Sequence, residues 1–164
     1  MYALPGHMGR GGTRTAGIGK VRHVTQNDLS AGRIVKRGVV AVARREGLFL
    51  AIRRGKSVAA GGQVCFPGGH IEPGEAEHAA VVRECREELA AAVEPARCVH
   101  RSVTSWGTGL AWWTVTLADG DLVPHPVEVD EILWMSLDEM LAEPTLLSGN
   151  RDFLEAVVAG RVRL

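Results

Sequence analysis

The chain reads as an α+β protein, an α/β/α sandwich in which a mixed β-sheet lies between helices. Three observations predict this: apolar runs of strand length separated by Gly-rich or charged turns, one long amphipathic stretch without Gly or Pro, and two helix-start signals near the end. In order, residues 34–43 and 48–53 are apolar runs around Arg45-Glu46-Gly47, which predicts a hairpin, and Gly61-Gly62 then leads into a short strand ending at Phe66. Residues 76–92 lack Gly and Pro and are rich in Ala, so a helix is expected to start near Glu75, just after the Pro73-Gly74 turn. Strand-like runs follow at 98–104, 111–117 and 131–135, the second closed by the turn pair Asp119-Gly120. In the second run Trp112 and Trp113 must point to opposite faces, one of them inward. Ser136 followed by Glu139 predicts a capping box for a first C-terminal helix, and Ser148 or Asn150 would cap a second that runs to Val158 before Gly160.

The central helix carries the chemistry. At about 100° per residue, Val82, Cys85 and Leu89 fall on one face and Glu84, Glu87 and Glu88 on the other. Glutamates spaced i,i+3 and i,i+4 repel one another by a few tenths of a kcal/mol per pair on a free helix, a cost that a bound dication removes. Hard cations such as Mg²⁺ take oxygen ligands and are held by one or two carboxylates together with substrate phosphates. An Arg- and Glu-rich helix alone would read as a solvated face laced with ion pairs, such as Arg83 with Glu87. The preceding Phe66-Pro67-Gly68-Gly69-His70 shifts that balance, because paired glycines let a backbone approach a ligand with no Cβ in the way.

Gly69, then Glu75 after five residues, then Arg83-Glu84-Cys85-Arg86-Glu87-Glu88 after seven more, resembles the signature of the Nudix hydrolases, and Phe66-Pro67-Gly68 resembles the family's lead-in. Two positions depart from it: Cys85 stands where a larger aliphatic is usual, and Ala90-Ala91 replace the closing Gly-aliphatic pair. The resemblance implies a Nudix fold over residues 34–164 and Mg²⁺-dependent hydrolysis of a pyrophosphate bond, with Mn²⁺ as a possible substitute. It implies Glu84, Glu87, Glu88 and the carbonyl of Gly68 as metal contacts, with Glu84 alternatively the base. Arg83 would orient a carboxylate, Glu75 by resemblance. The base in this family also comes from a later loop, which makes Glu128 and Glu131 candidates; His125 is rigidly placed between two prolines, but a lone loop His is more often a bystander than a base. Arg53, Gln63 and His70, around the Gly-rich turn, are the candidate substrate contacts. Residues 49–69 keep the spacing of a segment found in coenzyme A pyrophosphatases. They do not keep its chemistry, so a coenzyme A-type pyrophosphate stays a minor option beside nucleoside triphosphates, dinucleoside polyphosphates and nucleotide sugars. The rival reading is a Nudix-fold nucleotide-binding or regulatory module without hydrolysis.

Composition bounds the rest. With 164 residues, 46% hydrophobic and 23% charged, one domain with a real core is expected. The formal charge is zero overall, but residues 1–37 carry a net +6 and the remainder −6. Residues 1–33, with six glycines in the first twenty, read as a flexible basic arm in which Gly6-His7-Met8 resembles a cloning remnant. A small-molecule nucleotide, not a nucleic acid or a membrane, is the expected partner, and the expected compartment is the cytoplasm. Nothing in the residues speaks to oligomeric state. Cys65, Cys85 and Cys98 form no C-x-x-C pair and are expected as buried apolar residues, neither disulfides nor a nucleophile.

Overall fold

The computed structural model describes Arg22, His23 and residues 36–164. Its strands are β1 Arg22–His23, β2 Lys36–Arg45, β3 Leu48–Arg54, β4 Val64–Cys65, β5 Val93–Val103, β6 Thr108–Leu117 and β7 Val129–Met135. Its helices are α1 Glu77–Leu89, α2 Leu137–Ala142 and α3 Ser148–Val158. The expected arm, residues 1–33, lies outside the described residues except for β1, which pairs antiparallel with the end of β5.

The sheet is mixed, as expected: its order is β1-β5-β6-β2-β3-β4 with β7 on β3, and β2 runs parallel to β6 but antiparallel to β3. Alternation along each central strand divides its residues between two cores. Val39, Ala41 and Ala43 of β2 and Leu50 and Ile52 of β3 pack with Val81, Cys85 and Leu89 of α1. Val40, Val42, Phe49 and Ala51 face the other way, onto Met140 of α2 and Phe153 and Leu154 of α3. Trp112 joins this second core, fully buried and stacked on Phe153 at 4.2 Å, while Trp113 faces the α1 side.

What positions the site is a split in the sheet. β2 and β3 pair only near their hairpin, at Arg44–Phe49 and Arg45–Leu48, and then diverge. The gap is filled by residues 63–71. Cys65 and Val64 pair with β3, while Val39 and Ala41 donate to the carbonyls of Gly69 and Pro67, and Ile71 donates to that of Arg37. The diglycine bend is therefore wedged between two strands and held from both sides.

Three expectations are corrected. Val82 is 36% exposed and Val81 takes its place, because the buried stripe of α1 runs through Val81, Cys85, Glu88 and Leu89 at i, i+4, i+7 and i+8. Core and carboxylates are thus not separated; Glu88 lies on the buried side at 4% exposure. Neither Ser148 nor Asn150 caps α3, whose N-cap is Leu147 without a side-chain bond. Asn150 is buried inside the helix, and its Oδ1 accepts the amide of Phe66 at 2.7 Å. The capping box of Ser136 and Glu139 forms in full.

Candidate active site

Gly68 shows why the bend requires glycine. Its φ is +147°, and a Cβ there would come within 2.2 Å of the carbonyl oxygen of Val39. Stripped of side chain, the bend turns its amide toward α1, where Gly68 N–H donates to Glu88 Oε2 at 2.9 Å. At Gly69 a Cβ would lie 2.4 Å from the carboxylate of Glu84, so this carboxylate occupies the space the side chain would need. Two of the three helix glutamates therefore converge on the bend.

The third does not. Glu87 turns outward, 54% exposed, and pairs with Arg83 Nη1 at 3.0 Å. Arg83 uses all five of its N–H groups: Nε and Nη2 fork onto Glu75 at 2.9 and 3.0 Å, Nη1 reaches Glu84 and Glu87, and Nη2 also donates to the carbonyl of His70 at 2.8 Å. That fork holds the Glu75 carboxyl at about 2, far below its ordinary range, and the reciprocal field pushes the Arg83 guanidinium up.

A cleft of about 310 Å³ opens over the bend, lined by Arg54, Val58, Gly68, Gly69, His70, Glu72, Arg83, Glu84, Glu88 and Glu128. Glu128 reaches it from the loop after β6, its carbonyl fixed by the amide of Gly55 at 2.8 Å. Burial, reinforced by the charges of Glu84 and Glu128, pushes Glu88 up to about 8 against the opposing Gly68 amide and Arg54. Glu84 is also raised, chiefly by burial and in spite of Arg83. Among the described residues no three acids, thiols or imidazoles form a ready cage for a metal ion. The donor set nonetheless suits a hard dication: the buried Glu88, the half-buried Glu84 and the exposed Glu128 face an open cleft where waters and phosphate oxygens can complete the shell.

The remaining candidates separate by strand parity. Arg53 lies on the α3 side of β3, where it bonds Glu131 at 3.1 Å and the Thr145 hydroxyl at 3.2 Å; neither Arg53 nor Glu131 lines the cleft. Its neighbour Arg54, with the parity of Leu50 and Ile52, does line it, a residue that the sequence reading passed over. Gln63 also stays outside, its backbone pairing with Arg54 and Ala60. His70 lines the cleft and is exposed. Cys65 and Cys85 are buried, and burial lifts their thiols to about 11 and about 12, so both are neutral and unsuited to attack. No helix among the described residues is long and apolar enough to cross a membrane.

Known proteins resemble this chain in sequence and in fold. A CTP pyrophosphohydrolase of Escherichia coli is 34% identical over 126 residues, which cover 75% of this chain and 91% of that protein. An NAD-capped RNA hydrolase, NudC of Stutzerimonas stutzeri, is 30% identical over 95 residues; the match covers 57% of this chain and only 34% of that longer protein. Among solved structures, the MutT protein of Methanosarcina mazei superposes with a TM-score of 0.68 at 26% identity, covering 77% of this chain and 94% of its own. The NUDIX domain model matches residues 32–157, and with the bend, the glutamate helix and the split sheet in place, the chain belongs to the NUDIX domain family.

Proposed function

We propose that the protein is a Mg²⁺-dependent pyrophosphohydrolase that cleaves the phosphoanhydride of a nucleoside diphosphate linked to another group, by attack of water at phosphorus. The observation that carries the proposal is the convergence of Glu84 and Glu88 on the Gly68-Gly69 bend, with Glu128 and Arg54 lining the same cleft. Relatives named for CTP and for NAD-capped RNA support a nucleotide as the substrate.

Mg²⁺, when bound by Glu84, Glu88 and the Gly68 carbonyl, with Glu87 joining by rotating off Arg83, would supply neutralisation of phosphate charge. The chain's own residues do the remainder. Arg54 presents a fixed cation to a phosphate oxygen, which lowers the repulsion that an approaching water oxygen meets. Arg83, locked on Glu75, fixes Glu84 and prevents it from swinging into solvent. Glu128 is the acceptor for the water proton, with Glu84 the alternative, since both carboxylates border the cleft. His70 at the rim contacts the leaving moiety.

The test is turnover of a panel of nucleoside triphosphates and diphosphate conjugates, with and without Mg²⁺, in ¹⁸O-labelled water. The expected result is label in a phosphate product, no turnover in excess chelator, and a fall of at least about 10²-fold in kcat for Glu84→Gln and Glu88→Gln. Ligand-induced melting shifts with no turnover on any compound would instead establish the binding module.

A further inference from the structure

The loop that delivers Glu128 ends in a tight turn, and the turn is organised around His125. The His125 backbone amide donates to the carbonyl of Glu88 at 2.8 Å, tying the turn to the last turn of the glutamate helix. Its ring then folds back over its own chain: Nδ1 accepts the amides of Val127 at 3.4 Å and Glu128 at 3.2 Å. Its carbonyl accepts the amide of Val129 at 3.1 Å. A side chain accepting from the amides two and three residues on is the geometry of a helix N-cap, a role that Asn and Asp commonly fill. Pro126, in the next position, has no amide to leave unpaired and a φ suited to such a turn. Two N–H groups aim at Nδ1, which makes that nitrogen the acceptor of the turn.

The other wall of the turn is equally close. Gly55, just past β3, donates to the Glu128 carbonyl at 2.8 Å, and a Cβ on it would lie 2.0 Å from the Val127 carbonyl oxygen. The backbone of Glu128 is thus gripped on both sides, by Gly55 through its carbonyl and by His125 through its amide, and its side chain emerges into the cleft.

We infer that His125 is a positioning residue: Nδ1 of its imidazole caps the 125–129 turn and thereby sets where the Glu128 carboxylate stands relative to Glu84 and Glu88. The inference rests on the reading of Glu128 as the proton acceptor, and the experiment separates the two. An Asn side chain places its Oδ1 near the position of Nδ1, whereas Gln places its acceptor near that of Nε2, out of reach of both amides.

His125→Asn, His125→Gln and Glu128→Gln, with the pair His125→Gln/Glu128→Gln, are compared in kcat and KM at a temperature where melting curves show every variant folded. His125→Ala replaces the Gln variant should that one not fold. His125→Gln is expected to lower kcat by roughly 10- to 100-fold with KM within about twofold, as for a catalytic group displaced by about an ångström. His125→Asn is expected within about threefold of the wild type, and in the Glu128→Gln background the position-125 change costs less than about twofold. Equal loss in His125→Asn and His125→Gln, or an undiminished loss in the Glu128→Gln background, overturns the inference. So does full kcat in His125→Gln beside an inactive Glu128→Gln, which leaves the acceptor role standing. Wild-type turnover in Glu128→Gln overturns the acceptor role and the inference with it.

Discussion

Glu88 concentrates the electrostatic tension of the site in one residue. A carboxylate at 4% exposure with one amide donor and two acidic neighbours is costly to ionise, and burial raises it from 4.5 to about 8. Between those values the folded protein binds a proton that the unfolded chain has released, so the stability contributed by Glu88 is fully present below 4.5 and is lost as pH rises through about 8. Glu84 acts in the same direction, while the depressed Glu75 loses its contribution only as pH falls through about 2, outside this window. Metal-free protein should therefore melt at a lower temperature at pH 8.5 than at pH 5.5, by an amount worth on the order of a few kcal/mol, with Mg²⁺ reducing the difference. Glu88→Gln should remove most of it. Melting curves in chelator decide the matter, and a wild-type Tm that rises with pH would refute the assignment of the buried charge. Arg83 makes a second prediction at this scale. Lys has three donors on a flexible stem and cannot reproduce a fork onto Glu75 together with bonds to Glu84, Glu87 and the His70 carbonyl. Arg83→Lys should lose at least about tenfold in kcat, most of the effect of Arg83→Ala, since it removes the same positioning. Near-wild-type kinetics in the Lys variant would show that charge alone suffices.

Helix α1 ends on a residue whose conformation disfavours its own side chain. Ala90 sits at φ 51°, ψ 22°, and its amide and that of Ala91 reach back to the carbonyls of Arg86 and Cys85, closing the helix in the left-handed manner that glycine favours. An alanine Cβ there costs roughly 1 kcal/mol relative to glycine. Ala90→Gly should raise the Tm by roughly 2–4 °C, the response expected of a chain this size to that gain. An unchanged or lower Tm would mean that the greater freedom of glycine in the unfolded chain outweighs the relieved strain. The same helix shows what was legible in the sequence. Its extent, the bend before it and the partnership of Arg83 with an acid follow from local spacing and from which residues tolerate a turn. The face it buries did not, because Val81 and Val82 are interchangeable by composition and only the wedge of residues 63–71 decides that Glu88 goes inward. Strand β3 repeats the lesson: Arg53 and Arg54 differ only in parity, and which parity meets the cleft depends on the side of the sheet that α1 covers. From the sequence His125 reads as a rigidly placed bystander, because its partners are the amides of its own turn, which carry no sequence signal.

Across the whole molecule, the cleft belongs to neither core alone. Within three residues the chain sends Cys65 into the α1 core and Phe66 into the α3 core, then turns at Gly68 to meet Glu88. Phe66 stands edge-on to Phe49, Trp112 and Phe153, so its ring is fixed by β3, β6 and α3 together. Its amide would be an unpaired donor in that interior were it not for Asn150 Oδ1, the bond that ties α3 to the bend. The packing of α3 is thus linked to the position of Gly68, two residues on, and through it to the cleft-lining carboxylates of Glu88 and Glu84. Asn150→Ala strands the Phe66 amide at a cost of about 1–3 kcal/mol, so a fall in Tm follows from elementary hydrogen-bond energetics. The link makes a further demand that a local defect would not: with its anchor gone the bend relaxes toward the emptied space, and the Mg²⁺ concentration for half-maximal turnover should rise by roughly tenfold. Mg²⁺ titrations of kcat at a temperature where the variant is folded read this directly. A destabilised Asn150→Ala with an unshifted Mg²⁺ midpoint would show that the bend holds its position through Val39 and Ala41 of β2 alone.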